Sequence, residues 1–159
     1  MRRRRLSLNI VCAFVGLWLA VFIIYRVTLM WNGGAAERKT EAFLNAVQQQ
    51  GYERAAKLYG GSIEEEVWTS DMRKLHEEKG FKLLSYDHVK AEFDDGCYCT
   101  GHADLTIEVD GKPLEVEAIL SFAYGAKPGY ICIITPSGQE DGSVPEIEGW
   151  NRLACGGSF

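Results

Sequence analysis

Acidic residues are missing from the first 36 positions of this sequence, although the 159-residue chain contains 22 of them. The only charged residues in that N-terminal part are five arginines, so the rest of the chain carries 12 Lys and Arg against 22 acids, a formal charge of −10. A domain this acidic repels phosphate backbones and anionic lipid surfaces. The charge distribution therefore argues against nucleic acid as a partner.

The common signatures of catalysis and nucleotide binding are also missing. The Gly-Gly pairs that begin at Gly33, Gly60 and Gly156 lack the pattern of a phosphate-binding loop, and no serine lies in a nucleophile elbow. Paired C-x-x-C units of the zinc-ribbon type are absent as well. We therefore predict no catalytic residue, no cofactor and no metal ligand, and we expect a non-enzymatic role.

A long apolar run is present from Leu6 to Tyr25, where 20 residues carry no charge. At 1.5 Å per residue such a helix crosses a bilayer core of about 30 Å. Because arginines at 2–5 precede the run, we predict a cytoplasmic basic segment at 1–5, a transmembrane signal anchor at 6–31 and an extracytoplasmic domain. Two alternatives are a signal peptide cleaved near Gly34-Ala35-Ala36 and an anchor in the mitochondrial inner membrane.

Helical periodicity follows the anchor. Asn32-Gly33-Gly34 predicts a break, after which a helix begins near Ala35 and ends at Gly51. A short helix from Tyr52 to about Tyr59 and a third from Ser62 to Lys79 come next. The expected core stripe of the first of these helices contains Ala36, Thr40, Phe43, Leu44 and Val47.

Alternating strands make up the second half of the domain. Asp110-Gly111 between two apolar-alternating runs predicts a two-residue hairpin that joins strands Cys97 to Val109 and Lys112 to Tyr124. A strand from Phe81 to Val89, with a continuation to Phe93 as the alternative, precedes this hairpin, and a strand from Tyr130 to Thr135 follows it. Short turns between successive strands predict a four-stranded antiparallel meander.

The predicted fold class is therefore α+β: a transmembrane helix followed by two or three helices packed on the meander. We place this domain at 35–136, and we predict a flexible, acidic and Gly-rich tail at 137–159.

The hairpin register also brings polar side chains together. Asp104 is expected to lie opposite Glu117, with His102 one step along the same face. Two carboxylates at that separation repel unless water, a cation or a proton lies between them. This cluster is a solvated face, a cation site or a site with a perturbed acid.

Four cysteines outside the anchor, namely Cys97, Cys99, Cys132 and Cys155, predict one or two disulfides in an oxidising compartment. Cys97 and Cys99 share one face of one strand, so a bond between them should be strained, and we expect each to pair with Cys132 or Cys155 instead. A redox or metal site at Cys97 and Cys99 is the alternative.

The stretch AFLNAVQQQGYERAAKLY, from Ala42 to Tyr59, resembles the opening helices of the nuclear-transport-factor-like, or cystatin-like, superfamily. The resemblance implies a cone between helices and sheet, which in that superfamily is an enzyme site or a binding pocket. A pocket of this kind would be lined here by Trp68, Phe122 and Tyr124, and we hold it as an alternative function.

A second resemblance is to the single-span assembly factors of cytochrome oxidase, which also place a small α+β domain behind one N-terminal span. It is carried by Gly96 to Val116, with the core HADLTIEVDGKPLEV. The sequence thus predicts a membrane-anchored interaction or assembly domain with a protein partner at the membrane, of unspecified oligomeric state.

Overall fold

A computed structural model of the chain describes residues 2–60, 62–94, 96–123 and 128–137. The chain divides into two compact units, Met1–Trp31 and Asn32–Phe159. All but the first residue of the tail predicted at 137–159 lies outside the described residues.

Three helices precede the sheet: α1 (Arg2–Gln48), α2 (Tyr52–Ala56) and α3 (Ser62–Lys79). The predicted break at Asn32-Gly33-Gly34 is wrong, because α1 runs through it without interruption. Each glycine costs a helix only about 1 kcal/mol relative to alanine. Gly33 also leaves room for an aromatic ring, since a Cβ there would lie 3.2 Å from Cε1 of Tyr98.

Four strands form one antiparallel sheet in the order β1-β2-β3-β4: β1 (Lys82–Asp94), β2 (Cys97–Val109), β3 (Lys112–Phe122) and β4 (Ile131–Ser137). The predicted α+β class and the four-stranded meander are confirmed. β1 continues past Val89 to Asp94, and β3 ends at Phe122, before the predicted Tyr124.

The turn between β2 and β3 has the predicted conformation. Asp110 and Gly111 both have positive φ, 50° and 71°, as a type I′ turn requires. The backbone N–H of Asp110 donates to the carbonyl of Lys79 at 2.7 Å, which ties the turn to the end of α3. The register that follows pairs Leu105 with Val116 and Ala103 with Ala118, as the sequence predicts.

The core lies between the helices and one face of the sheet. The C-terminal part of α1 contributes the predicted stripe, in which Phe43 and Leu44 are fully buried. The sheet contributes alternating residues of β2 and β3, among them Leu105 and Leu120. This alternation leaves the opposite face of both strands to the polar residues, as expected for an antiparallel sheet with one buried side.

Two contacts fix α1 against the rest of the second unit. A Cβ at Gly101 of β2 would overlap with Oγ1 of Thr40, so the helix and the strand meet where the strand has no side chain. Lys39 donates from Nζ to the carbonyl oxygens of Pro128 and Gly129, at 2.7 and 2.5 Å. The ammonium group thereby holds the segment that leads into β4.

Candidate functional site

The polar outer face of the sheet carries a row of carboxylates across three strands. The register places Asp87 of β1 opposite Asp104 of β2, and Asp104 opposite Glu117 of β3. The hairpin predicts that Asp104 lies opposite Glu117. Asp87 joins the row because β1 pairs with β2. Because directly opposed like charges destabilise a sheet, this row depends on neighbouring groups for compensation.

One compensating group is His88, which a bulge in β1 brings to the row. The register shifts by one residue between Asp87 and Lys90, and His88 has a positive φ of 52°. Its Nδ1 lies 2.7 Å from Oδ2 of Asp104, and both side chains are exposed. His88 was not part of the predicted cluster, because nothing local to the sequence indicates this bulge.

The second compensating group is His102, which lies between two carboxylates. Its Nδ1 is 3.4 Å from Oε1 of Glu117, and its Nε2 is 2.6 Å from Oε2 of Glu92, although the approach to Glu92 departs from hydrogen-bond geometry. The side chain of His102 is 11% exposed, whereas that of Glu92 is 60% exposed and that of Glu117 is 44% exposed. His102 therefore connects β1, β2 and β3 beneath exposed acids, and Glu92 is a member that the sequence did not reveal.

An open concavity of about 370 Å³ lies on this face. Its lining residues are Asp87, His88, Asp104, Leu105, Thr106, Glu115, Val116 and Glu117. Four carboxylates and one imidazole suit contact with a cationic group from outside the chain, such as a lysine or an arginine. Within the described ranges, no set of three Cys, His, Asp or Glu side chains is arranged to hold a metal ion.

The predicted pocket residues lie elsewhere. Trp68 is fully buried, with its ring 5.5 Å from that of Phe43 and 5.3 Å from that of Tyr59. Phe122 is 5% exposed, and Tyr124 lies outside the described residues. Trp68 and Phe122 therefore belong to the packed core.

The cysteines pair differently from the sequence expectation. Cys97 and Cys99 form a disulfide with each other, and Cys132 is also disulfide-bonded, while Cys155 lies outside the described residues. The expectation of strain assumed a regular strand, in which residues i and i+2 are about 6.6 Å apart. Their Cα atoms are 5.4 Å apart, within the usual range for disulfides. The strand begins directly after Gly96, whose φ is 87°, and next to an irregularity opposite Asp94.

A second concavity, of about 500 Å³, lies between α2 and α3 and is lined by charges of both signs. Glu53 and Arg73 form an ion pair in it. A hydrogen bond from its own backbone holds the pKa of Glu53 below the ordinary value, and Arg73 lowers it further. Both side chains are largely exposed, so the pair is a surface contact of small energetic weight.

The first unit contains the apolar part of α1, and this helix is long and apolar enough to cross a membrane. Leu29 is partly buried, and the other large apolar side chains of this helix between Val11 and Trp31 are 47% to 76% exposed. Exposed apolar surface of this extent is typical of a segment that lies in lipid or against another helix.

Comparison with known proteins adds no relative: no protein family matches the chain, and no curated protein is significantly similar to it.

Proposed function

We propose that the chain is a single-pass membrane protein whose second unit is a non-enzymatic interaction or assembly domain on the extracytoplasmic side. The observation that carries the proposal is α1, where an exposed apolar stretch is followed in the same helix by residues of the core of a compact α+β unit. A tether of this kind raises the concentration of the unit near membrane partners without any additional contact.

The arginines at 2–5 support the proposed orientation, since positive charge before a first span favours a cytoplasmic N-terminus. The mitochondrial inner membrane is the alternative location. The resemblance to single-span oxidase assembly factors points to the same arrangement of one span and one small domain.

The outer face of the sheet is where we expect the partner to bind. Asp104, Glu115 and Glu117 are exposed there, and they lie on rigid strands whose other side is packed in the core. We expect the contacting segment of the partner to be basic, because complementary charge speeds and orients association. The alternative of a ligand pocket between helices and sheet is not favoured, since Trp68 and Phe122 are packed side chains.

A photo-crosslinking amino acid at Glu115 tests the proposal in the native membrane. Glu78 of α3 provides a matched control, because it is also an exposed glutamate but belongs to a helix and not to the outer face of the sheet. We expect a specific crosslinked membrane protein from position 115 and not from position 78, with a yield that falls as salt is raised. Absence of a crosslinked protein above background at both positions would contradict a partner-binding role.

A further inference from the structure

The disulfide between Cys97 and Cys99 joins no two elements of the fold. Both residues belong to β2, only two positions apart, and Cys97 is already paired with Asp94 of β1. A disulfide stabilises a fold chiefly by restricting the unfolded chain, and this effect grows with the length of the loop that is closed. A disulfide between residues two positions apart closes a very short loop, so it stabilises the fold little. Stabilisation of the fold therefore does not explain why this disulfide is present.

The pair is also accessible. Cys97 and Cys99 are both partly exposed at the beginning of β2, directly after the exposed Gly96. A thiolate from another molecule must approach a disulfide sulfur to attack it, and access is one of the factors that set the rate of this reaction. Buried structural disulfides do not offer such access.

The residue between the two cysteines contacts other elements. The ring of Tyr98 lies 5.3 Å from the ring of Phe93, and a Cβ on Gly33 of α1 would lie 3.2 Å from it. The disulfide therefore sets the backbone that presents Tyr98 to α1 and to β1. Opening the bond frees this segment to adopt the longer spacing of a regular strand.

We propose that Cys97 and Cys99 form a thiol–disulfide exchange site that accepts two electrons from a dithiol. A thiolate of the dithiol attacks one sulfur of the pair, the Cys97–Cys99 bond breaks, and a mixed disulfide forms. The second thiol of the dithiol then attacks the mixed disulfide. The products are two protonated cysteines on β2 and an internal disulfide on the former dithiol, so atoms and electrons balance.

Reduction of this pair should leave the fold intact. In the chain-entropy description, a disulfide that closes so short a loop restricts the unfolded chain little, so its loss costs the fold little stability. We therefore expect the second unit to stay folded when the Cys97–Cys99 bond is reduced.

The test equilibrates the full chain in mild detergent with a series of reduced-to-oxidised dithiothreitol ratios, alkylates the free thiols and maps them by mass spectrometry. We expect the reduced fraction of Cys97 and Cys99 to rise with this ratio and to fall again when the ratio is lowered, while circular dichroism shows that the second unit stays folded. Resistance of the pair to reduction until the second unit unfolds would overturn the proposal.

A single substitution provides the second measurement. In Cys99→Ser the remaining Cys97 lacks a resolving partner, so incubation with oxidised glutathione should leave one stable glutathione adduct on Cys97. The wild-type chain, once reduced, should instead return to the Cys97–Cys99 disulfide without a lasting adduct. Failure of Cys97 to react in the folded variant would show that the site is closed to external thiols and would refute exchange.

Discussion

Tyr52 buries a hydroxyl group for which the described residues provide no hydrogen-bond partner. The residue is 4% exposed, and its ring lies 6.4 Å from that of His76. Burial raises the pKa of Tyr52 above its ordinary value of 10.0, because a phenolate loses more hydration there than a phenol. This side chain therefore contributes apolar contact at the expense of a desolvated polar atom.

Tyr52→Phe should keep the packing and remove the desolvated oxygen. We expect the free energy of unfolding at neutral pH to stay the same or rise by up to about 1 kcal/mol, since no hydrogen bond within the described residues is lost. Urea unfolding of the full chain in mild detergent measures this change. Tyr130→Phe is a matched control at an exposed position and should change the free energy of unfolding little.

The same residue predicts a pH dependence. The folded chain holds the phenolic proton of Tyr52 more tightly than the unfolded chain, so the contribution of Tyr52 to stability is complete below pH 10 and decreases as the pH rises through the raised pKa. In alkaline titrations the wild type should lose stability more steeply than Tyr52→Phe. Parallel curves for the two proteins would contradict a raised pKa.

At the scale of elements, α1 and β2 approach each other closely in the second unit. Thr40 of the helix lies over Gly101 of the strand, and a side chain at 101 would collide with its hydroxyl oxygen. Oγ1 of Thr40 is itself buried and meets no hydrogen-bond partner among the described residues. The helix thus sits against the sheet at a distance that only glycine at 101 permits.

Gly101→Ala should separate the two elements. We expect a loss of about 1–3 kcal/mol in the free energy of unfolding, typical of an overpacked core. Adding Thr40→Ala should restore part of the loss, because the double variant removes the colliding atoms; a double-mutant cycle measures this coupling. Gly16→Ala is the control, since a Cβ there meets no atom within 4 Å and should not lower stability.

The elements also show what could be predicted from the sequence. The register of β2 and β3 was accessible because Asp110-Gly111 is a local signal and the alternation of apolar residues extends it along both strands. The continuity of α1 through Gly33 could not be predicted from the sequence, because it is accompanied by a contact with Tyr98, which is distant in sequence. The same reason applies to His88 and Glu92, whose positions depend on bulges in β1 and its pairing with β2.

For the whole molecule, the apolar part of α1 and the acidic second unit have opposite preferences for their surroundings. The stretch between Val11 and Trp31 exposes large apolar side chains, whereas the acidic residues all lie beyond position 36. An arrangement with the apolar stretch in lipid and the acidic second unit in water gives each part the surroundings that it prefers.

Arginine substitutions test the membrane assignment. Each arginine near the centre of a span opposes insertion by about 2.5–3.5 kcal/mol. We therefore expect Val15→Arg with Leu19→Arg to release the full chain from membranes on alkaline carbonate extraction, while the wild type stays in the pellet until detergent is added. Glu78→Arg on the exposed surface of α3 should leave extraction unchanged. Release of the wild type by carbonate would contradict a spanning helix.

The outer edge of β1 is unsuited to the addition of a further strand, and the beginning of β4 is already paired. Irregularities after Leu83, Asp87 and Glu92 interrupt the outer edge of β1, and the beginning of β4 is paired through Ile131 with Leu58 and Gly60. Regular, open edges are the surfaces through which β proteins join into fibrils. Because the edge of β1 is irregular, it offers a second copy of this chain no regular template for strand pairing.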